Sequence, residues 1–328
     1  MLFRTIVNIK PQHNITYKDK IMMLGSCFAE NMGEKLQKAK FRILVNPFGV
    51  IYNPESVRIS VLRILEEKLF TEDEIFEHEG SWKSFRHHSR FSALTLAHFL
   101  ENANQKLEEA ADFFQNIDIL IITFGTAWIY TLKESETVVS NCHKLPASFF
   151  SRKRLSVEYI VETYAELIAA LLKRRPALQI LFTVSPVRHW KDGAHENQVS
   201  KAILLLAIEQ IRRLFPDNTA YFPAYEIVLD ELRDYRFYAD DMIHPNETAI
   251  GYIWERFSDT FFSAETRKQI AEIEKLLAAT QHRPFQPQSK SFQLFVNKNI
   301  TLLDEIKKKY PELDFEEEKR YWEGMKVR

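Results

Sequence analysis

The clearest fold signal in this chain is the stretch Ile21-Met22-Met23-Leu24-Gly25-Ser26-Cys27. It opens with a short apolar run, which a glycine and two small residues then end, as at a buried strand that enters a tight turn. Residues 28–40 continue with apolar side chains at helical spacing. The stretch therefore predicts a strand, a turn and a helix, which together form the opening unit of an α/β domain.

Short apolar runs alternate with longer amphipathic stretches along the rest of the chain. Asn53 and Pro54 open one of the helices, because asparagine is a favoured N-cap and proline a favoured first helical residue. The alternation predicts an α/β fold, a three-layer sandwich in which a mostly parallel sheet is flanked by helices. Further strands are predicted at residues 41–45, 118–124, 178–184 and 219–222, helices at about 92–114, 157–173, 196–214 and 246–262, and a hairpin at 128–139.

The chain changes character beyond residue 262. It becomes helical and charged, with one break at Arg283-Pro284-Phe285-Gln286-Pro287. We therefore divide the sequence into an α/β domain at residues 1–262 and a C-terminal helical appendage at residues 263–328. An appendage packed on the core and a partly mobile interaction tail are both consistent with this composition.

The overall composition is that of an ordinary soluble globular protein, with 45% apolar and 27% charged residues. A net charge of −1 provides no attraction to nucleic acid or to an anionic membrane, so neither is expected as a partner. Two cysteines are too few for a disulfide framework or for a zinc site made of cysteines alone. Because the sequence has no signal-peptide pattern and no apolar segment of membrane-spanning length, a cytoplasmic location is expected.

Cys27 stands at the predicted turn between the first strand and the first helix. A nucleophile at such a turn has its own N–H group close to the reacting carbonyl, and the helix N-terminus favours a thiolate, which lowers the pKa of the cysteine. The alternative is a small buried cysteine in a tight turn, since free cysteines are among the most buried residues. The turn alone leaves both interpretations open.

A candidate base lies in the segment Asp241-Met242-Ile243-His244-Pro245. A carboxylate three residues before a histidine can fix the tautomer and orientation of the imidazole ring. Asp192 and His195 have the same spacing, so position must separate the two pairs. Asp241 and His244 precede the last core helix and are predicted on a loop at the carboxyl ends of the strands, where ligand sites of open α/β sheets lie and where Cys27 also falls.

The segment Gly25-Ser26-Cys27-Phe28-Ala29 spells the signature of the GSCFA family, which is itself similar to the SGNH or GDSL hydrolase superfamily. The resemblance covers roughly residues 20–262 and implies an SGNH-like, flavodoxin-like sheet. It is carried further by Asn46-Pro47-Phe48-Gly49, Phe124-Gly125-Thr126-Ala127-Trp128, Asn141-Cys142-His143-Lys144, Ser185-Pro186-Val187-Arg188-His189-Trp190 and the block at 241–245.

The resemblance implies a role for each matching residue. The SGNH pattern Gly-Asp-Ser aligns with residues 25–27, which makes Cys27 the nucleophile and leaves Ser26 as its rival, since a shift of one residue exchanges the two. Asp241 corresponds to the orienting acid and His244 to the base. The N–H groups of Cys27 and Gly49 correspond to oxyanion donors. The third block of the SGNH pattern, Gly-x-Asn, aligns with Gly125-Thr126-Ala127, so its asparagine is missing here. The candidates to replace that oxyanion donor are Thr126, Asn141 and His143.

The implied activity is acyl transfer through a thioester on Cys27. The acceptor is water in an esterase or deacetylase, or a sugar hydroxyl in an O-acyltransferase, so the expected ligand is a small-molecule or carbohydrate ester and no cofactor is required. Two alternatives stay open, namely a non-catalytic protein that binds carbohydrate or acyl ligands in the same pocket, and a scaffold whose C-terminal helices recruit a partner.

Several other residues are candidates for contact with substrate or metal. Arg188, His189 and Trp190 are predicted to form a loop beside the active site, with His143 lining the pocket. Arg188 and Lys191 suit an anionic part of a substrate, and a solvated loop is the alternative. A metal site built from His189, Asp192 and His195, with His87 or His88, matches no known spacing, so no metal is expected. Cys142 and His143 are adjacent and point to opposite faces of an extended chain, which disfavours a second Cys-His pair, and Asp240 and Asp241 are too close for a glycosidase dyad.

Overall fold

Within residues 4–10, 13–280 and 285–326, which the computed structural model of this protein describes, a parallel five-stranded sheet forms the centre of the fold. Two antiparallel hairpin-based sheets accompany it. The strands are β1 (Lys20–Gly25), β2 (Arg42–Val45), β3 (Ile75–His78), β4 (Ser81–Ser84), β5 (Ile119–Phe124), β6 (Trp128–Leu132), β7 (Thr137–Val139), β8 (Phe150–Arg154), β9 (Gln179–Val184) and β10 (Thr219–Phe222).

The central sheet has the strand order β2-β1-β5-β9-β10, with every neighbouring pair parallel. Ile21 of β1 is level with Ile43 on one side and with Ile119 on the other. The chain therefore moves from β1 in one direction to β2 and later returns to the other side of β1 to form β5. This reversal is a switch point, and in open α/β sheets a crevice forms there beyond the carboxyl ends of the strands.

The two faces of the sheet bury alternate residues of each strand, as the period of two in a strand requires. Met22 and Leu24 of β1 lie in one apolar cluster, whereas Ile21 and Met23 lie in the cluster on the opposite face. Both clusters are fully buried, so the strand is apolar throughout, which is typical of a parallel strand covered on both faces. The predicted three-layer α/β sandwich is confirmed.

Helices cover both faces of the sheet. Helices α2 to α5 contribute to the cluster of Met22 and Leu24, while α1, α7 and the C-terminal helices contribute to the other cluster. The helices are α1 (Cys27–Lys38), α2 (Pro54–Glu66), α3 (Leu96–Phe114), α4 (Val157–Arg174), α5 (Gly193–Leu214), α6 (Ala224–Glu226, continued by a π-turn at Ile227–Glu231), α7 (Glu247–Phe261), α8 (Ala264–Thr280), α9 (Lys290–Lys309) and α10 (Glu316–Gly324).

The C-terminal helices pack on the α/β core. Trp322 of α10 and Phe315 just before it are fully buried, and both belong to the same apolar cluster as Phe257 of α7. Burying side chains of this size accounts for several kcal/mol of stabilisation, about 2 to 3 kcal/mol for each. Arg283 and Pro284 of the predicted break lie outside the described residues. None of the described helices is long and apolar enough to cross a bilayer.

Candidate active site

A cavity of about 450 Å³ opens beyond the carboxyl ends of β1, β5 and β9, at the switch point of the sheet. We call it the thiol cavity, because Cys27 lines it. The loop after β10 reaches the same cavity with Ile243 and His244. Its volume is in the range of small-molecule sites.

Gly25 shapes the turn that delivers Cys27. Its φ of +146° is unfavourable for a residue with a side chain, and an added Cβ would lie 2.2 Å from the carbonyl oxygen of Thr123. The Gly25 N–H donates to Oδ1 of Asn46 at 2.8 Å, which ties the turn to the end of β2. The turn therefore requires glycine, and it places Cys27 as the first residue of α1.

Cys27 and Ser26 both line the thiol cavity, but their side chains differ in exposure. Ser26 is 1% exposed, and its Oγ is enclosed and has no hydrogen-bond partner within the described residues. Cys27 is half-buried, and the N–H groups of Phe28 and of Cys27 itself approach its sulfur. The accessible nucleophilic atom at this turn is therefore the thiol.

The expected low pKa of the thiol is a prediction that the structure corrects. Burial raises the pKa of Cys27 above its usual value, and the charge of Glu30 acts in the same direction. The N–H groups at the helix N-terminus and the charge of Lys201 lower the pKa, but they do not outweigh the burial. At neutral pH the thiol is therefore protonated, and a reaction at Cys27 requires a base.

The segment from Asp241 to His244 forms a closed loop with the imidazole at its tip. Oδ2 of Asp241 lies 2.6 Å from Nδ1 of His244, and Oδ1 accepts the N–H groups of Ile243 and His244 at 2.9 and 3.0 Å. Met242 has a left-handed φ of 58°, which turns the chain back on Asp241. These N–H groups and the imidazole hold the pKa of Asp241 at about 2. Asp241 therefore stays ionised and fixes the proton of His244 on Nδ1, which leaves Nε2 as an acceptor.

Cys27 and His244 line the same cavity, although no hydrogen bond joins the thiol to the imidazole among the residues that the structure describes. The two side chains come from loops 217 residues apart in sequence, after the first and the last strand of the sheet. Catalytic hydrogen bonds are often long before substrate binds. The arrangement can therefore perform base-assisted attack by sulfur once a ligand orders the cavity.

Gly49 does not act as the oxyanion donor that its sequence position suggests. Its N–H donates to the carbonyl of Asn46 at 2.8 Å, within a turn, and Gly49 does not line the thiol cavity. Glycine is required at this position for two reasons. The φ of Gly49 is +87°, and a Cβ added to Gly49 would lie 2.2 Å from the Cβ of His88. Gly49 is therefore a turn residue, because its N–H group is already used in a hydrogen bond.

Thr126 and Asn141 both line the thiol cavity, but their polar groups are largely occupied. The Thr126 N–H donates to the carbonyl of Tyr52 at 3.0 Å, and its hydroxyl lies 3.1 Å from that of Ser200. The Asn141 amide donates to Ser89 at 3.2 Å and accepts the N–H of residue 143 at 2.8 Å. Neither residue presents a fully free donor to the cavity.

His143 lies in a turn, is buried and does not line the thiol cavity, so its predicted role in contacting substrate is corrected. Its Nε2 lies 2.7 Å from the carbonyl of Ser84, and its ring packs beside Phe76. Cys142 lines the cavity in its place. The left-handed φ of 49° at His143 turns the chain there, and of these two residues only Cys142 lines the cavity.

Arg188, His189 and Trp190 all line the thiol cavity, as predicted. Burial, together with the positive charges of Lys201, Arg152 and His244, lowers the pKa of His189 to about 4. His189 is therefore neutral at neutral pH, and no carboxylate orients it among the described residues. Trp190 is 51% exposed and stacks below the guanidinium of Arg188 at 4.8 Å.

The family follows from comparison with known sequences. The sequence model of the GSCFA family matches residues 20–257, which is more than half of the chain and includes Cys27, Asp241 and His244. The chain belongs to the GSCFA family. A second model, the C-terminal domain of GSCFA domain proteins, matches residues 273–325, the region of α8 to α10.

No curated protein matches this GSCFA chain. Among solved structures, an acetyl xylan esterase (Est2A) from the rumen bacterium Butyrivibrio proteoclasticus is similar, with 10% sequence identity and a TM-score of 0.37. The match covers 75% of this chain and 64% of the esterase, so the chain spans less than two thirds of the length of that enzyme.

The structure brings Asn53 into the thiol cavity, although the sequence indicated only a helix cap. Oδ1 of Asn53 accepts the N–H of Ser56 at 2.8 Å, which caps α2 and fixes the side chain. Asn53 is only 6% exposed and lines the cavity, and its Nδ2 donates no hydrogen bond within the described residues. Asn53 therefore presents a fixed and free amide donor, whose dual use a capping pattern cannot reveal.

Lys201 is a second residue that the sequence analysis missed. It lies on the buried face of α5, 1% exposed, and donates to the carbonyls of Gly125 and Ser185 at 2.7 and 2.6 Å. Burial lowers the pKa of Lys201 to about 7, whereas the charge of Cys27 raises it. The amine therefore ties together the ends of β5 and β9 and places a partial positive charge below the thiol.

The buried stripe of α5 contains the signal that could have revealed this role. Asn197, Ser200 and Lys201 occupy positions where an amphipathic helix would place apolar residues. Asn197 accepts the N–H of His189 at 2.9 Å, and Ser200 accepts that of Ala127 at 2.8 Å. Three buried polar residues on one helix therefore position the loops that line the cavity.

Replacing Lys201 by methionine is expected to raise the pKa of the Cys27 thiol further, because a neighbouring positive charge is removed. The rate of alkylation by iodoacetamide at about pH 7, where part of the Lys201 amine is still protonated, should fall roughly threefold. A pH profile of that rate, with Cys27 identified by peptide mass spectrometry, measures the shift.

The exposed cation Lys191 is the matched control, since Lys191→Met should leave the profile nearly unchanged. Lys201→Gln removes the charge but keeps an amide donor for the carbonyls of Gly125 and Ser185. It replaces the methionine variant in this test if that variant folds poorly. If the pH profile of Cys27 alkylation has the same midpoint in a folded Lys201 variant, Lys201 does not influence the pKa of the thiol.

The remaining candidates for metal ligands are not brought together among the described residues. His87 is fully buried among aromatic rings that include Phe70 and Phe91, and burial lowers its pKa to about 3. Asp192 pairs with Arg152 rather than with His195. Across the described part of the chain, no group of three or more His, Cys, Asp or Glu residues could hold a metal ion.

Proposed function

We propose that this protein is an acyl-transfer enzyme of the SGNH type, in which Cys27 forms a thioester with the acyl group of an ester substrate. The observation that carries the proposal is that Cys27 and His244 line one cavity at the switch point of the sheet, while Asp241 holds the imidazole of His244 from outside that cavity. A thiol with a raised pKa and a carboxylate-oriented imidazole are complementary, because the first needs the proton acceptor that the second provides.

In the proposed reaction, Nε2 of His244 accepts the proton of the Cys27 thiol as the sulfur attacks the carbonyl carbon. The bond between that carbon and the leaving oxygen then breaks, and the imidazolium returns the proton to the leaving group. Asp241 keeps its negative charge throughout and stabilises the imidazolium. Water or a hydroxyl of a sugar then attacks the thioester by the same steps, which yields hydrolysis or O-acyl transfer.

The oxyanion is stabilised by the N-terminus of α1 and by Asn53. The N–H groups of Cys27 and Phe28 lie at the sulfur, and the Asn53 amide is free to donate. Asn53 would thus replace the asparagine of the SGNH Gly-x-Asn block, which is missing at residues 125–127 of this chain.

Replacing Asn53 by aspartate is expected to lower kcat by about 10²-fold, because the oxyanion loses an amide donor. Aspartate keeps the acceptor that caps α2 through Ser56, so the free energy of unfolding should change little. Steady-state kinetics with an activated ester and a thermal unfolding curve measure the two quantities.

The neutral cap in Asn53→Thr controls for the added charge of the aspartate. A kcat that stays within twofold of the unmodified protein in both variants would remove Asn53 from the proposed oxyanion site.

A non-catalytic ligand-binding protein is the second candidate, and a specific observation favours it. The thiol has a raised pKa and forms no hydrogen bond to His244 among the described residues, as expected of a cysteine that only lines a pocket. Such a protein would bind an ester without forming a thioester.

Trapping the acyl-enzyme distinguishes the two candidates. The full chain is mixed with 4-nitrophenyl acetate, quenched in acid and digested, and the peptides are analysed by mass spectrometry. One acetyl group on the Cys27 peptide, absent in Cys27→Ala, is expected. Acetylation on the Cys142 peptide alone, or no acetylation while the ester still binds, would contradict the enzymatic proposal.

A further inference from the structure

The thiol cavity has an excess of positive charge. Arg152 pairs with Asp192, whereas Arg188 and Lys191, which also line the cavity, form no ion pair within the described residues. Lys201, below the cavity, donates to two carbonyl oxygens, lies over the ring of Tyr225 and forms no ion pair with a carboxylate in the part of the chain that the structure describes. Because the whole chain has a net charge of −1, this excess is local to the cavity.

Arg188 is the most constrained of these cations. It is half-buried, its Nε is enclosed without a hydrogen-bond partner, and its guanidinium stacks on Trp190. An unpaired charge at such a place is unfavourable unless a ligand supplies the partner. The planar guanidinium matches carboxylate and phosphate groups in particular.

Arg188 also forms the wall between two cavities. A second cavity of about 560 Å³ adjoins the first, and Arg188, Trp190 and Ile243 line both. The second cavity contains the acids Asp234 and Asp241 as well as Arg188 and Arg233, so its charges are balanced. An anion is therefore best accommodated on the side of Arg188 that faces the thiol cavity.

We propose that the substrate of this site carries an anionic group, a carboxylate or a phosphate, which pairs with Arg188 while its ester carbonyl lies at Cys27. This inference rests on the proposed acyl-transfer function, and it adds the class of ester that the site selects. Arg188 is a binding residue in this scheme and does not take part in proton transfer.

The first test does not depend on catalysis. Cys142→Ser leaves Cys27 as the only thiol of the chain. Its alkylation is followed with iodoacetate, which is an anion, and with iodoacetamide, which is neutral. In both reactions the sulfur–carbon bond forms, the carbon–iodine bond breaks and iodide leaves. The ratio of the two rates cancels any change in the thiol pKa, so it reports the attraction of the anion alone.

Arg188→Met is expected to lower the ratio of iodoacetate to iodoacetamide rates about tenfold. Lys191→Met removes an equal charge from an exposed position and should change the ratio about twofold or less. An unchanged ratio in Arg188→Met would overturn the proposal. An equal decrease in both variants would also overturn it, because it would indicate a diffuse field rather than pairing with Arg188.

The second test uses esters and identifies the source of the anion. 4-Nitrophenyl butyrate is a neutral ester, 4-nitrophenyl hydrogen succinate is an ester with a carboxylate, and acetyl phosphopantetheine is a thioester with a phosphate. Arg188→Met should raise the KM of the preferred anionic ester about tenfold and leave that of the butyrate ester nearly unchanged. Equal KM changes for neutral and anionic esters would refute anion selection. If no ester reacts, the proposed function fails, while the alkylation ratio still decides the anion site.

Discussion

Replacing Cys27 by alanine is expected to lower kcat/KM for an activated ester such as 4-nitrophenyl acetate by about 10⁴-fold. The reason is that the proposed thioester cannot form without the sulfur, and the enclosed hydroxyl of Ser26 cannot reach a ligand in the cavity. Initial rates of nitrophenolate release in the full chain measure the effect. The rate that remains in Cys27→Ala should be the acceleration that the oxyanion donors and substrate binding provide without a nucleophile.

Ser26→Ala and Cys142→Ala are the matched controls for this loss. The Ser26 hydroxyl has no hydrogen-bond partner among the described residues, so its removal should leave kcat/KM within about threefold. Cys142 lines the cavity at a half-buried position, and its substitution tests whether any thiol in the cavity suffices. A large loss in Ser26→Ala with an active Cys27→Ala would exchange the two residues and contradict the assignment of the nucleophile.

Replacing His244 by alanine is the second large effect and is expected to lower kcat/KM by about 10³-fold. The raised pKa of Cys27 keeps the thiol protonated at neutral pH, so the attack depends on a base. Added imidazole should restore part of the rate, because a small base can enter the space that the side chain leaves. Kinetics with and without imidazole measure both parts of the prediction.

His195→Ala is the control for His244, since Asp192 and His195 repeat the spacing of Asp241 and His244. His195 is exposed, and the carboxylate of Asp192 is paired with Arg152, so no change in rate is expected. Loss of activity in His195→Ala, or full activity in His244→Ala, would refute the assignment of the base. The pKa of Asp241 is about 2, so any loss of rate at mildly acidic pH does not arise from its protonation.

Much of the fold could be predicted from the sequence, because burial on both faces makes the parallel strands continuously apolar. The predicted strand at residues 178–184 corresponds to β9 (Gln179–Val184), and the predicted helix at 157–173 corresponds to α4 (Val157–Arg174). The hairpin of β3 and β4 was missed, since its eight residues are mostly polar and lack an apolar run. Its only local signal is Glu79-Gly80, where both residues have a positive φ, as two-residue hairpin turns require.

The oxyanion donors could not be predicted in the same way. Gly49 stands where the family pattern places a glycine that donates to the oxyanion, yet its N–H group donates to the carbonyl of Asn46 within a turn. Asn53 was interpreted as a cap alone, because a sequence does not tell whether the second half of an amide faces a cavity. Whether a donor is free depends on which partners the fold supplies, and those partners are distant in sequence.

Sequence patterns alone predicted the strand, turn and helix around Cys27, the α/β class and the local pairing of Asp241 with His244. These features depend on residue types and short spacings, which act within a few residues. The three-dimensional packing was needed to show that Asn53 and Lys201 approach the thiol, that burial raises the pKa of Cys27, and that Arg188 has no counter-ion among the described residues. Desolvation, long-range charges and shared cavities arise when segments hundreds of residues apart are packed together, and no local pattern records that packing.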